Sequence, residues 1–301
     1  MNSFSFNRFG KTLRWVISVN RLGLLGVTLG FFVAIFLMEV IVAYTGTAPG
    51  DFIRKAAGMA LWGLIAYLGV CVSSMFTKFM QVGTKPQRSA FLMLPVSNLE
   101  KFLAMVFYAT VVCTACAFVA VVAGDLLRMG WFWAREAYGG SMGYVYYPDT
   151  GEAWYWWSSI LPTMYADVKS MFVMREDTNF ILTTSYEVMQ AVDFTAFCLW
   201  IHSLYTLGGT LLRRYAFVIS SLVFILCMVL FVQFMMHAEI SMFTSVWDGD
   251  RYITQEVGVM GYMLAVALPL LSILNYWASF HIFKHFELIS NKWTNYDILK
   301  R

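Results

Sequence analysis

Runs of about 20 predominantly apolar residues, the length that crosses a bilayer as a helix, recur along the chain at 24–44, 56–76, 102–123, 194–212, 216–236 and 257–283. Polar, turn-forming residues separate them. The pattern predicts an all-α polytopic membrane protein with six transmembrane helices. The first run is span-length and lacks a small-residue cleavage pattern, so it is expected to be retained rather than removed as a signal peptide.

The segments between the runs carry patterns of their own. In "NRFGKTLRWVISVNR", residues 7–21, Phe9, Leu13, Val16 and Ile17 fall on one helical face, with Arg8, Lys11 and Arg14 elsewhere on the wheel. This predicts an amphipathic N-terminal helix lying on the inner leaflet; the alternative is a basic start to the first span. Residues 129–193 contain "YVYYPDTGEAWYWW", alternating aromatics around Pro148-Asp149-Thr150-Gly151. That turn chemistry predicts a β-hairpin pairing 144–147 with 152–157 in an aromatic-rich extracytoplasmic insert. "ILPTMYADVKSMFVM" predicts a short helix after it.

The segment "FLMLPVSNLEKFLAMVF", residues 91–107, is neither span nor loop. Pro95 breaks a helix, Ser97 and Asn98 start one, and Glu100-Lys101 follows. The expected element is a short, capped, amphipathic helix between the second and third spans.

Composition supports the membrane class: the 301 residues are 59% hydrophobic and only 13% charged, against about 25% charged in soluble domains. The net charge of +3 conceals a strong asymmetry. With the N-terminus in the cytoplasm, inner segments hold 14 of the 21 Lys and Arg residues, from Arg8 to Arg301, while inner acids are only Glu100, Glu287 and Asp297. The positive-inside rule therefore predicts both termini inside. The basic inner face suits anionic lipid headgroups, and nothing in the chain provides a basic soluble domain for nucleic acid.

Candidate chemistry is sparse. No P-loop, G-x-G-x-x-G, H-E-x-x-H or G-x-S-x-G motif occurs, so an enzyme is not expected and no cofactor is called for. All five cysteines, Cys71, Cys113, Cys116, Cys198 and Cys227, fall in predicted spans, which excludes a disulfide-stapled ectodomain. His281 and His285 share a helix face with Glu287 nearby, a spacing that could bind a metal, but the expected reading is an interfacial pair at the inner end of the last span; Cys198 and His202 also lie four apart, with His202 expected to be buried and hydrogen-bonded. Glu39, inside the first apolar run, and His202, inside the fourth, are candidates for an intramembrane polar site. Asp125 and Arg128 are spaced to pair across one turn, and Pro269 is expected to kink the last span.

Residues Leu92 to Ala104, "LMLPVSNLEKFLA", resemble the "LP-[small]-S-x-x-E/K" element of type-2 ABC exporter permeases. "LGGTLLRRYAF" and "NYWASFHIFKHFELISNKW" look like permease proteins of the Bacteroides group. The resemblance implies a cytoplasmic coupling helix that docks on an ABC ATPase subunit, formed by Leu94, Pro95, Val96, Ser97, Asn98, Leu99, Glu100 and Lys101. It implies that ATP and magnesium are bound by that partner, that a second copy or a homologous permease completes the pathway, and that the chain sits in a bacterial inner membrane. Residues 7–21 resemble the family's elbow helix. The chain departs from the family at Asn98, where a basic residue often follows the Ser, and in its large insert after the third span rather than the fifth.

The implied plan is an elbow at 1–22, spans one to three at 23–128 with the coupling segment at 77–101, an extracytoplasmic insert at 129–193, spans four to six at 194–283, and a tail at 284–301. The alternative function is a membrane sensor or assembly factor whose aromatic ectodomain binds a ligand.

Overall fold

The computed structural model describes residues 4–46, 48–75, 89–91, 93–139, 144–147, 152–172, 180–182, 184–212, 215–238, 240, 243–247 and 253–285. Residues 76–88, Leu92, residues 148–151, Arg213, Arg214 and the residues beyond His285 lie outside the described residues.

The chain is mostly helical. In order it forms α1 (Phe6–Thr45), α2 (Pro49–Ser73), α3 (Asn98–Ala137), strands β1 (Tyr144–Tyr147) and β2 (Glu152–Tyr155), α4 (Leu161–Phe172), β3 (Phe180–Leu182), α5 (Thr184–Leu211), α6 (Ala216–Ala238), β4 (Phe243–Trp247), β5 (Ile253–Val257) and α7 (Val259–Lys284). A single π turn, Tyr108–Val112, interrupts α3 without ending it. Five described helices, α1, α2, α3, α6 and α7, are long and apolar enough to cross a membrane, as expected of a multi-pass membrane protein. The predicted fourth span lies in α5, which has the length at 28 residues but carries Gln190, Asp193 and His202 among its apolar residues.

Two predicted elements need correction. A separate amphipathic helix before the first span is not formed: α1 runs unbroken for 40 residues. No Pro interrupts it, and Asn20, a residue type suited to capping a new start, instead donates its side-chain amide to the carbonyl of Val16 at 2.9 Å. At 1.5 Å per residue α1 is about 60 Å long, about twice the hydrocarbon thickness, so much of it lies outside the apolar layer. Nor is 94–101 a free-standing short helix: 93–96 form turns, and Asn98 opens the 40-residue α3.

The predicted hairpin forms with antiparallel register, Tyr144 opposite Tyr155 and Tyr147 opposite Glu152. Its second strand ends at Tyr155 rather than Trp157 because the chain turns there, with Tyr155 N–H donating to Ser158 Oγ at 3.0 Å. A second sheet was not expected. It has the order β3-β5-β4, with β3 parallel and β4 antiparallel to β5.

The chain divides into two compact units. The first contains Met1–Arg14, Gly69–Val106 and Lys169–Arg301. Here α5 and α7 pack side by side along a seam with alternating spacings of three and four, the coiled-coil period. At that spacing Asp193, Ala196, Ser203 and Thr210 on α5 and Leu268, Ser272 and Ser279 on α7 are buried, and Asn275 faces Ser203. Two polar contacts pin the register: Asn275 Nδ2 donates to Ser203 Oγ at 3.0 Å, and His202 Nδ1 meets Tyr276 OH. Gly209 lets α5 approach α2, where a Cβ would stand 2.7 Å from the carbonyl oxygen of Ser73 and 2.8 Å from that of Val72. Helix α6 is nearly bare, with 6% of its apolar window buried, as suits a helix facing lipid or another chain.

The second unit contains Trp15–Leu68 and Phe107–Val168. Its core gathers Ile35, Phe52, Ala56, Val121, Phe132 and Ile160, all buried. Phe31 packs on Tyr67 with ring centroids 4.9 Å apart.

Candidate functional site

Two constellations stand out, one in each unit. In the first unit, the start of α3 is a reciprocal capping box. Ser97 Oγ accepts the N–H of Glu100 at 3.2 Å, and Glu100 Oε2 accepts the N–H of Ser97 at 2.8 Å. Glu100 also reaches back to the N-terminus. Its Oε1 accepts the N–H of Ser5 at 2.8 Å and the guanidinium of Arg8 at 3.0 and 3.1 Å. The next turn is fixed by aromatic packing: Phe102 lies 5.6 Å from both Phe280 and Phe283, and Phe91 lies 6.3 Å from Phe283. Polar clamps on one side and rings on the other hold the turn rigid.

This arrangement sorts the eight residues of the predicted docking element. Glu100 and Lys101 are buried, at 0% and 3% exposure, so neither side chain faces a partner. Glu100 is an internal brace. Leu94, Val96 and Ser97 are partly covered, while Pro95, Asn98 and Leu99 are exposed. Met93, outside the predicted set, is the most exposed at 83%. The exposed surface of this turn is formed by Met93, Pro95, Asn98 and Leu99, three of the four apolar.

In the second unit, Arg128 on α3 is fully buried and heads the largest enclosed side chains. Its Nε donates to Glu39 Oε2 at 3.1 Å. Nη1 donates to the carbonyl of Trp156 at 2.6 Å, and Nη2 to that of Ser158 at 2.7 Å and to Asp125 Oδ1. The Phe52 ring lies 5.0 Å away beneath it. Asp125 Oδ2 in turn accepts from Ser159 Oγ and from the N–H of Ile160. One guanidinium thus ties α1, α3 and the segment following the hairpin. An arginine suits this task because its planar fork carries five donors.

The expected Asp125–Arg128 pairing across one turn is present. The sequence reading missed that Glu39 completes it. The available signal was two opposite charges, each isolated in an apolar run, since such groups pair or the fold suffers. The arrangement is that of a clamp.

Glu39 lies in the second unit and His202 in the first, and each has its own partners. His202 bonds Tyr276 OH, while Cys198 is exposed. The rings of His281 and His285 lie 4.6 Å apart and tilted, and the His285 ring meets the backbone carbonyl of His281. Among the described residues no group of three or more His, Cys, Asp or Glu is placed to hold a metal ion. The chain matches no family model, no curated protein and no solved structure.

Proposed function

We propose that this chain is the membrane-spanning subunit of an ABC exporter in a bacterial inner membrane. It spans six times with both termini in the cytoplasm, α5 supplying the fourth span. It works as a pair, with a second copy or a homologous permease. A separate ABC ATPase binds ATP and magnesium.

The observation that supports this reading is the braced turn at the start of α3. Met93, Pro95 and Leu99 form an exposed apolar knob, and the Ser97–Glu100 box with Arg8 beneath it keeps the knob from folding away. A partner that moves on ATP binding needs a stiff handle, because a floppy loop would absorb the displacement. The docking element is thus the turn 93–99 rather than a detached helix.

The test is purification of the tagged chain from its native membrane in mild detergent, with ATPase activity measured on the eluate. Wild type is expected to bring down a P-loop ATPase, and the Met93→Asp, Leu99→Asp variant, folded but with a charged knob, is expected to lose it. Recovery of the ATPase with the double variant overturns the docking turn. Absence of any ATPase from wild type overturns the transporter reading in favour of a ligand-binding sensor, whose ectodomain presents exposed Tyr144 and Tyr146 on the hairpin.

A further inference from the structure

Asp193 is a buried carboxylate, 7% exposed, and neither of its oxygens has a hydrogen-bond partner. Three residues earlier on α5, the Gln190 side-chain oxygen is also buried without a partner. Residues three apart on a helix are neighbours, so three oxygen acceptors gather at one place in the first unit. Glu39, by contrast, has its arginine. A buried charge left alone costs several kcal/mol, so a carboxylate in this position is normally matched by a counter-charge or neutralised.

The seam supplies a fourth oxygen. Ser203 bonds Asn275, an offset of 72 residues, and β3 pairs parallel to β5 with Phe180 opposite Ile253. Carried along the seam, the offset sets Asp193 level with Ala265. Four residues on, Pro269 sits inside the continuous helix α7. A proline has no N–H, so the carbonyl of Ala265 loses its helical donor. Ala265 is also small, which leaves room opposite the carboxylate.

We propose that Asp193, Gln190 and the released carbonyl of Ala265 form a binding site for a small monovalent inorganic cation. The ligand set is all oxygen, which selects hard cations over transition metals. It carries one negative charge. Divalent calcium takes six to eight oxygens, commonly from several carboxylates. A carbonyl left without its helical donor, beside a buried carboxylate, is a setting in which a sodium-sized ion is held. The site is independent of any ATPase.

The experiment is thermal unfolding of the purified full chain in detergent, in sodium, potassium or lithium chloride, each against choline chloride at equal ionic strength. The expected result is a midpoint raised by at least one of the three ions over choline, rising with concentration as ligand linkage requires. Asp193→Asn is expected to abolish that shift, and Asp51→Asn, at an exposed acid on α2, to retain it. Pro269→Ala restores the missing helical donor and is expected to weaken the shift while leaving the fold intact. Equal midpoints in all four salts overturn the site, as does a wild-type shift in Asp193→Asn. If Asp193→Asn does not fold, Gln190→Met and Pro269→Ala decide, and an undiminished shift in both overturns it.

Discussion

Arg128 and Glu39 face each other at 3.1 Å with neither side chain open to solvent, although 89 residues separate them in the chain. The pair stabilises only as a unit. Arg128→Met leaves Glu39 and Asp125 buried without their cation and opens the carbonyls of Trp156 and Ser158. A loss of about 3–5 kcal/mol is expected. Glu39→Gln, which keeps an acceptor for Nε, is expected to cost less, and the double variant Glu39→Leu, Arg128→Leu to regain part of the loss through its remaining apolar contacts. Thermal unfolding in detergent, read by size-exclusion chromatography, ranks the three; equal losses for both single variants would contradict the clamp.

The box at Ser97 makes a graded forecast. Glu100→Ala removes one half of it and orphans the N–H groups of Ser5 and Ser97, and about 1–2 kcal/mol of local stability should go. Glu100→Gln can keep its one oxygen on the Ser97 N–H, preserving the reciprocal bonds, but turns an amide NH2 toward the Ser5 N–H and Arg8 and drops the charge pairing. Because Arg8 is 43% exposed, that pairing contributes less than about 1 kcal/mol. Hydrogen exchange at residues 97–101 measures this: fast exchange in the Ala variant and near wild-type protection in the Gln variant.

Gly209 tests the approach of α5 to α2. The obstacle to a Cβ there is two backbone carbonyl oxygens, and backbone does not swing aside as a side chain does. Gly209→Ala is expected to lower stability by about 1–3 kcal/mol by overpacking. Gly58 in α2 has nothing within 4 Å of its would-be Cβ. Gly58→Ala is therefore expected to be neutral or to gain up to about 1 kcal/mol from helix propensity. Unfolding midpoints of the two variants should move apart.

Orientation is checked by chemistry from each side of the membrane. Tyr146→Cys on the hairpin and Asn98→Cys at the start of α3 both replace exposed residues. In intact spheroplasts an impermeant maleimide is expected to label the first and to reach the second only after lysis. The reverse pattern would invert the topology and with it the docking of a cytoplasmic ATPase.

What could be read from sequence was what depends on near neighbours. Apolar runs gave the long helices, because a span is set by its own composition. Pro148 to Gly151 marked the hairpin, and Ser97-x-x-Glu100 marked a helix start. Three things were beyond reach for the same reason: they depend on distant partners. The parallel pairing of β3 with β5 joins residues 73 apart, Phe180 with Ile253. Glu100 looks like a surface acid until Arg8 and Ser5 are brought to it. Glu39 and Arg128 are each legible as anomalies, yet their pairing is a fact of the fold. The continuity of α1 is not legible either, since a basic flank and an elbow share one hydrophobic pattern.

The buried pair also has a history in time. Synthesis proceeds at about 5–20 residues per second, so Arg128 leaves the ribosome about 4–18 seconds after Glu39. During that interval the first apolar helix carries an acid whose counter-charge does not yet exist. The nascent chain must therefore shelter Glu39 by other means, holding it near water or at the insertion machinery until α3 arrives. A chain stopped before residue 128 would have no way to complete the clamp, and the cell's membrane quality control would meet it as a helix with an unanswered charge.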